Sequence, residues 1–185
     1  MEIRQATIND ALFVAKCVSM ALHTNISAEE LNHFAEVCRL DNVLYSYRNA
    51  IIAEIDNVPA GLCLAYDGNN YHEIRVRTFS HFPEFAKKMD FQNFEDETRE
   101  GEFYIDSLAV LPEFRRRGIA QELMKAQIKR GREMGLPIAT LLVDPENPNA
   151  QKLYYNLGFK YSEDIYAFGQ IFWKLSMPIC IPISN

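Results

Sequence analysis

The sequence predicts an α/β protein in which a mixed sheet carries helices on both faces. Alternating apolar residues indicate strands, and apolar residues three and four positions apart indicate helices. Together they give the order strand, two helices, three strands, helix, strand, helix and two strands. The length of 185 residues favours one domain, over 1–185, with a single core.

The first elements are a short strand and two amphipathic helices. Residues 3–6 have the strand pattern, and an apolar stripe over 11–22 predicts the first helix. Residues 27–30 read Ser-Ala-Glu-Glu, a capping box that starts the second helix, whose stripe extends to Cys38. Both helices are expected to pack on the core.

A hairpin and a long irregular segment come next. Residues 49–55 and 60–66 are strand-like, and Asp56-Asn57 between them is typical of a tight turn. The segment 67–101 is long for a connection between neighbouring strands, which indicates a lid or substrate loop; a packed surface excursion explains its length equally well. We expect short helices and loops there, with one helix over 83–89. The segment combines aromatic residues (Tyr71, Phe79, Phe82, Phe85, Phe91, Phe94) with acidic ones (Glu84, Asp90, Glu95, Asp96, Glu97, Glu100).

The second half of the chain is more regular. The predicted elements are a strand over 103–110, a helix over 120–131, a strand over 138–143, a helix over 148–157, and a final hairpin over 161–168 and 170–175.

A basic loop joins the first two of these elements. After the strand and the break at Leu111-Pro112, residues 114–120 read Phe-Arg-Arg-Arg-Gly-Ile-Ala and open the helix. The first turn of a helix has unpaired N–H groups and a dipole that favours an anion. Gly118 allows close approach of a ligand, and arginines add forked donors. The loop therefore suits a phosphate group, although a solvated turn is the simpler alternative.

A second segment at a suitable distance downstream makes the pattern specific. The buried strand over 138–143 leads into 144–159, where Pro148 suits a helix start and Gly158 a helix end. Arg115, Gly118 and Ala120 fill an Arg/Gln-x-x-Gly-x-Gly/Ala pattern. The later segment fits Asn-x-x-Ala-x-x-Leu-Tyr-x-x-x-Gly-Phe, position for position.

These two patterns resemble the GNAT superfamily of acyl-CoA-dependent N-acetyltransferases, over roughly residues 102–160. The resemblance implies a largely antiparallel central sheet in which two strands splay apart and hold acyl-CoA in the gap. It implies transfer of an acetyl group from acetyl-CoA to an amine, a small molecule or a protein N-terminus, by direct attack. No metal is expected.

The resemblance also implies which residues contact acetyl-CoA. The strand segment Leu108, Ala109 and Val110 matches the stretch whose backbone pairs with the pantetheine arm. The pyrophosphate loop corresponds to Arg115, Arg116, Arg117, Gly118, Ile119 and Ala120. Asn147 matches an asparagine that often contacts the CoA chain.

Three residues are candidates for proton transfer. Tyr154 matches the tyrosine that commonly protonates the departing sulfur, and a phenol with a pKa of about 10 is protonated at pH 7. Glu102 and Asp106 lie on one face of their strand by its period of two, so either carboxylate can take the amine's proton. Each is equally well explained as a polar residue of a strand end.

Composition limits the remaining classes. Four cysteines far apart in sequence (Cys17, Cys38, Cys63, Cys180) show no metal or redox spacing, and four scattered histidines form no ligand cluster. A net charge of −6 argues against a general nucleic-acid binder, and no apolar run is long enough for a membrane span. We expect a cytoplasmic enzyme; a homodimer is one open oligomeric state. A non-catalytic acyl-CoA sensor and an anion-binding interaction domain are the alternatives.

Overall fold

A seven-stranded sheet with helices on both faces organises residues 1–88 and 95–180, which the computed structural model describes. Its strands are β1 (Glu2–Gln5), β2 (Ala50–Ile55), β3 (Val58–Asp67), β4 (Glu102–Val110), β5 (Ile138–Val143), β6 (Lys160–Ala167) and β7 (Gln170–Pro178). The helices of these residues are α1 (Ala11–Ala21), α2 (Ala28–Cys38), α3 (Tyr71–Ser80), α4 (Pro83–Lys88), α5 (Ile119–Glu133) and α6 (Pro148–Leu157). The predicted fold class is confirmed, and most element bounds differ from the expected ones by a few residues.

The strand order is β1-β2-β3-β4-β5-β7-β6. Each neighbouring pair is antiparallel except β4 and β5, which are parallel. The sequence predicted the final hairpin, but its order along the chain does not reveal that β7 lies between β5 and β6. The hairpin folds back so that its second strand extends the sheet.

Two apolar clusters cover the two faces of the sheet. In the first, α1, α2 and α3 pack on side chains such as Leu62, Leu64 and Tyr104. In the second, α5 and α6 pack on the opposite side chains, among them Cys63, Phe103 and Ile105. We call these the α1–α3 face and the α5–α6 face. Cys17 and Cys38 are buried free thiols on the first, as their helical positions predict.

Local sequence explains where several elements begin and end. The Asp56-Asn57 turn joins β2 and β3 with φ values of 52° and 62°, the left-handed geometry of a tight hairpin. Ser27 accepts from the Glu30 N–H at 3.2 Å, while the Glu30 carboxylate accepts from the Ser27 N–H at 2.7 Å, so the predicted capping box is present. Gly158 ends α6 with a φ of 101°.

Two irregularities of β4 open the centre of the sheet. Its pairing with β5 runs only from Glu102↔Ile138 to Tyr104↔Thr140, although β4 continues to Val110 and β5 to Val143. The strands therefore splay apart beyond Tyr104. At the same level β4 bulges, because Ala65 pairs with Ile105 but Leu64 pairs with Ser107, which leaves Asp106 as the extra residue.

The segment 67–101 is more regular than expected in its described part. It contains α3 and α4, the latter close to the helix expected over 83–89. Tyr71 and Phe79 are buried in the cluster of the α1–α3 face, and Phe82 and Phe85 pack against that cluster. These four aromatic residues are core residues, which favours the packed excursion over the lid. Asp90, Phe91 and Phe94 lie outside the described residues.

No helix within residues 1–88 and 95–180 combines the length and the apolar character that a membrane crossing requires.

Candidate active site

The loop between β4 and α5 has the geometry of an anion site. Gly118 is the N-cap of α5 with a φ of 78°, and a Cβ at this position would have no heavy atom within 4 Å. The first intrahelical bond of α5 runs from the Glu122 N–H to the Gly118 carbonyl at 3.2 Å. The N–H groups of Ile119, Ala120 and Gln121 therefore lack helical partners and point out of the helix end. A negative group there also meets the positive end of the helix dipole.

A cavity of about 260 Å³ lies beside this helix end. Its lining combines residues from both sequence patterns: Val110, Phe114, Arg115, Arg116, Gly118, Ile119, Ala120, Gln121 and Leu153. Since Leu153 belongs to α6, the fold brings the second pattern to the first. Arg115 and Arg116 are exposed and border the cavity, whereas Arg117 lies over the Phe114 ring at 5.5 Å and does not line it.

The edge of β4 leads from this cavity into the gap. The Leu111 N–H donates to the Ala60 carbonyl on β3 at 2.9 Å. Hydrogen-bonding direction alternates along a strand, so the peptide groups of Val110 and Leu108 point away from β3, toward the space that β5 has left. One carbonyl on that edge is already hydrogen-bonded, since the Arg115 Nε donates to the Val110 carbonyl at 3.1 Å. Ala109 lies between them with its peptide groups toward β3.

Tyr154 borders the gap on the α5–α6 face. Its ring packs against the same cluster as Leu108 and Val110, and it contacts the Phe159 ring edge-on at 6.3 Å between centroids. Burial, followed by the proximity of the Cys63 thiol, raises the pKa of the Tyr154 phenol. The hydroxyl is therefore protonated at neutral pH and available as a donor.

Asp106 borders the gap on the opposite face. It is partly buried at the bulge, where its carboxylate accepts from the Tyr66 hydroxyl and from the Ser107 hydroxyl, each at 2.6 Å. Burial raises the pKa of Asp106 and outweighs these two hydrogen bonds, which lower it. A carboxylate whose pKa is raised is a stronger proton acceptor than an ordinary one.

Glu102 has a different environment, although it lies on the same strand. Its carboxylate accepts from Lys174 Nζ at 2.8 Å, from Arg99 Nε at 3.0 Å and from two threonine hydroxyls, Thr98 at 2.9 Å and Thr140 at 3.1 Å. Burial opposes ionisation of Glu102, but hydrogen bonds from Lys174 and Arg99 outweigh it and lower its pKa. These contacts suit a structural anchor between β4, β5 and β7 better than a proton acceptor.

A larger cavity, of about 520 Å³, opens near the Glu102 end of β4. It is lined by Gly68, Asn70, Tyr71, His72, Glu95, Asp96, Thr98, Arg99, Glu100, Glu163, Ile165 and Lys174. Its four carboxylates outnumber the two permanent cations. Four of its charged residues are already paired, because Lys174 and Arg99 contact Glu102, Asp96 contacts Arg75 and Glu163 contacts Arg99.

Asn147 has a structural role that the sequence pattern alone does not show. Its side-chain oxygen accepts from the Ala150 N–H at 3.1 Å and so caps α6, whose first residue is Pro148. The cap fixes the start of the helix that carries Tyr154. The expected contact of Asn147 with a CoA chain stays a prediction.

The family follows from comparison with known proteins. Residues 20–159 match the model of the acetyltransferase (GNAT) family. The chain belongs to this family. The resemblance inferred from the two sequence patterns is therefore confirmed.

Several known proteins are similar to this chain. An aminoglycoside N(6')-acetyltransferase type 1 from Salmonella typhimurium is 34% identical over 62 residues, which cover 34% of this chain and 43% of that protein. The match thus spans less than half the length of this curated relative. A solved structure described as an acetyltransferase superposes with a TM-score of 0.79 and 26% identity over 97% of this chain and 100% of the other. A protein from Salmonella typhimurium, solved with its cofactor acetyl-CoA, superposes with a TM-score of 0.61 and 14% identity over 100% of this chain and 97% of the other.

Sequence reasoning did not assign roles to several residues of the candidate site. Lys174 is 1% exposed, and the only signal for it is a lysine within an apolar strand. Glu97 was one acid among several in 67–101, yet it is buried and accepts from the Tyr71 and Tyr104 hydroxyls at 2.6 Å each. The Tyr66 partner of Asp106 lies 40 residues away in sequence, so no local pattern identifies it.

Proposed function

We propose that this acetyltransferase moves the acetyl group of acetyl-CoA to a primary amine by direct attack. The observation that carries the proposal is the splayed gap between β4 and β5, with Asp106 on one face and Tyr154 on the other. Direct transfer needs one group that takes a proton from the amine and another that gives a proton to the leaving sulfur. The two candidates flank the same gap from opposite sides.

The residues along the gap fit acetyl-CoA in order. The pyrophosphate suits the free N–H groups at the start of α5 together with Arg115 and Arg116, because anions bind at helix N-termini. The pantetheine arm, which carries amide groups, suits the peptide groups of Val110 and Leu108 that β5 leaves unpaired. Bound acetyl-CoA supplies the acetyl group as a thioester.

The two proton transfers can be assigned to named atoms. An amine arrives as an ammonium ion and attacks only after losing a proton, which the Asp106 carboxylate accepts. The amine nitrogen then forms the C–N bond as the C–S bond breaks. The sulfur leaves with the electron pair and takes a proton from the Tyr154 hydroxyl. As the C–S bond breaks, the amide nitrogen gives up its second proton, which solvent carries to the Tyr154 phenolate and so resets it. Asp106 releases its own proton to solvent.

The acceptor is proposed to be a cationic amine that enters from the α1–α3 face. The larger cavity shares Tyr71 with that face, and its excess of carboxylates attracts a cation. A second observation points the same way, since the curated relative is named for an aminoglycoside, a sugar that bears several amines. Amino sugars and polyamines are therefore the first acceptors to assay.

A transfer assay tests the proposal. The wild-type protein is incubated with acetyl-CoA and a panel of amino sugars, polyamines, amino acids and peptides. The products are identified by mass spectrometry. We expect one acetyl group per modified amine, an equal amount of free CoA thiol, and the highest rates with cationic small amines. Thiol release that does not increase with any amine would contradict the proposal. Preference for acidic acceptors would leave the transfer intact but contradict the acceptor class.

A further inference from the structure

The clearest feature that the proposed mechanism leaves unused is a second carboxylate behind Asp106. Glu97 is 8% exposed, and its two oxygens accept from the Tyr71 and Tyr104 hydroxyls at 2.6 Å each. Asp106 accepts from Tyr66 at the same distance. The three tyrosines form a compact frame, with ring centroids 5.7 to 6.4 Å apart. Both carboxylates are thus held by one group of rings.

We propose that Glu97 is a positioning residue for the amine step, a carboxylate coupled to Asp106 so that the two titrate as one unit and together set how readily Asp106 accepts a proton. The proposal rests on the proposed amine acetylation. Glu97 itself contacts no reacting atom, because it is enclosed by its tyrosines. Its influence reaches the amine only through Asp106.

The charge of the neighbourhood supports this coupling. Burial, and then the charge of Asp106, raise the pKa of Glu97 to about 7, although two tyrosine hydrogen bonds and Arg75 act in the opposite direction. Two neighbouring carboxylates in a buried site cannot both ionise without cost, so one of them retains a proton to higher pH. An isolated aspartate is too weak a base to compete for the proton of an ammonium ion. A charged Glu97 beside it makes Asp106 a stronger acceptor.

Other ionisable groups near the pair do not remove the effect. Arg75 is 2% exposed, but it is committed to Asp96 at 3.0 Å and to the Glu95 carbonyl at 2.9 Å. The remaining titratable groups that face the pair are neutral at physiological pH, because burial raises each pKa: Tyr45 before β2, Cys63 and Tyr66 on β3, Tyr71 on α3 and Tyr104 on β4. The coupling in this frame is therefore between the two carboxylates, since the charge of Asp106 is among the causes that raise the pKa of Glu97.

A pH profile of the variant Glu97→Gln tests the proposal. It is measured as kcat/KM for a single amine at saturating acetyl-CoA, so the ionisation of the amine is the same in every variant. We expect the acidic limb of Glu97→Gln to lie at a pH lower by more than about one unit, the size of coupling between interacting groups. Glu97→Asp retains the charge and should restore much of the wild-type limb. Glu84→Gln, in the same segment but exposed and paired with Lys87, should leave the profile unchanged.

An unchanged limb in Glu97→Gln would overturn the proposal, since a purely structural role lowers the rate without moving the pH dependence. A titration of ¹³C-labelled carboxyl groups by NMR, on the wild-type protein without substrates, covers the case in which the variant misfolds. Mutually perturbed curves for Glu97 and Asp106, assigned with Asp106→Asn, are expected. Two independent simple curves would contradict the coupling. If the wild type acetylates no amine at all, the proposed function fails first, whatever the carboxyl titration shows.

Discussion

The two sides of the splayed gap are built in different ways. On the side proposed for the cofactor, here called the cofactor side, the anion site comes from residues close together in sequence, Arg115 to Gln121, and it is largely exposed. On the side proposed for the acceptor, here called the acceptor side, the carboxylates depend on partners 26 and 40 residues away, as Tyr71 is from Glu97 and Tyr66 is from Asp106. The cofactor side is positive and uses backbone groups, whereas the acceptor side carries carboxylates and uses side chains.

The two sides should tolerate different substitutions. Backbone N–H groups and a dipole recognise phosphate with little dependence on neighbouring side chains, so only the backbone conformation at Gly118 is critical. A buried carboxylate depends on every partner around it, because an unmatched charge in a dry site is costly. Changes on the cofactor side should therefore alter affinity, while changes near the acceptor side should alter rate, pH dependence or stability.

The largest expected effect follows from removing the Tyr154 hydroxyl, the proposed proton donor to the leaving sulfur. Tyr154→Phe removes only the hydroxyl and keeps the ring contact with Phe159. General acid catalysis contributes on the order of a hundredfold to ten-thousandfold, so kcat should fall within that range while the Kd of acetyl-CoA stays the same. Stopped-flow turnover and calorimetry measure the two quantities. The control Tyr155→Phe changes an exposed neighbour on the same helix and should have no effect on either.

An unchanged kcat in Tyr154→Phe, under conditions where chemistry is rate-limiting, would show that another group protonates the sulfur. A rise in Kd instead of a fall in kcat would place Tyr154 on the cofactor side and break the comparison.

The next effect isolates the cofactor side. Gly118→Glu places a carboxylate and a strained side chain at the mouth of α5, so the Kd of CoA should rise roughly a hundredfold, or about 2.8 kcal/mol. Gly135→Glu is a matched control. Gly135 has the same φ of 78° and the same open surroundings, but it follows the other end of α5. Calorimetric titration should give a higher Kd of CoA for Gly118→Glu than for Gly135→Glu, although the melting temperatures of the two variants should fall equally. Equal affinities in both would contradict the placement of the pyrophosphate.

A third prediction concerns stability at the Glu102 end of β4. Glu102→Gln leaves Lys174, whose side chain is 2% exposed, without its nearest carboxylate, and should cost about 3 kcal/mol of unfolding free energy. Glu163→Gln removes a carboxylate that lies 3.8 Å from the same Lys174 amine. Because the Glu163 side chain is 38% exposed, its loss should cost at most about 1 kcal/mol of unfolding free energy. Urea unfolding measures both.

The pH dependence of that stability has a definite sign. The pKa of Glu102 is lowered in the folded protein, so its contribution is present above the ordinary carboxyl range and is lost as the pH falls through the folded value. The unfolding free energy of Glu102→Gln should therefore decrease less than that of the wild type on acidification. Parallel curves would show that the ion pair does not stabilise the fold.

The smallest expected effect is the dependence of kcat/KM on salt concentration, which tests the acceptor side. At saturating acetyl-CoA, added salt should lower kcat/KM for a cationic amine by roughly three- to tenfold, because exposed carboxylates of the larger cavity are screened. An uncharged acceptor of similar size serves as the control and should respond little. An identical salt response for both acceptors would argue against attraction of the cation by this cavity.

Sequence patterns predicted the cofactor side more fully than the acceptor side, for a physical reason. Gly118 and the helix starts at Ile119 and Pro148 are local features, as is the stop at Gly158, and local features leave a readable pattern. The fold class followed from the same local periodicities.

The remaining features depend on contacts between distant residues. Glu102 and Asp106 looked equivalent by strand period. Burial raises the pKa of Asp106, whereas hydrogen bonds from Lys174 and Arg99 outweigh burial at Glu102 and lower its pKa. The position of β7 between β5 and β6, which brings Lys174 to Glu102, is set by long-range pairing. No spacing within 67–101 distinguishes Glu97 from its exposed neighbours, because its environment is formed by Tyr71 on α3 and Tyr104 on β4.

A crystal structure of the complex with CoA is the most direct test of the account, because it shows where the two sides of the gap place one ligand. We predict the pyrophosphate at the N–H groups that begin α5, beside Arg115, and the arm between β4 and β5 with its amides on the peptide groups of Leu108 and Val110. The sulfur should then lie in the gap between Asp106 and Tyr154. An arm that bypasses this gap, or a CoA seated in the larger cavity beside Glu163 and Lys174, would contradict the account.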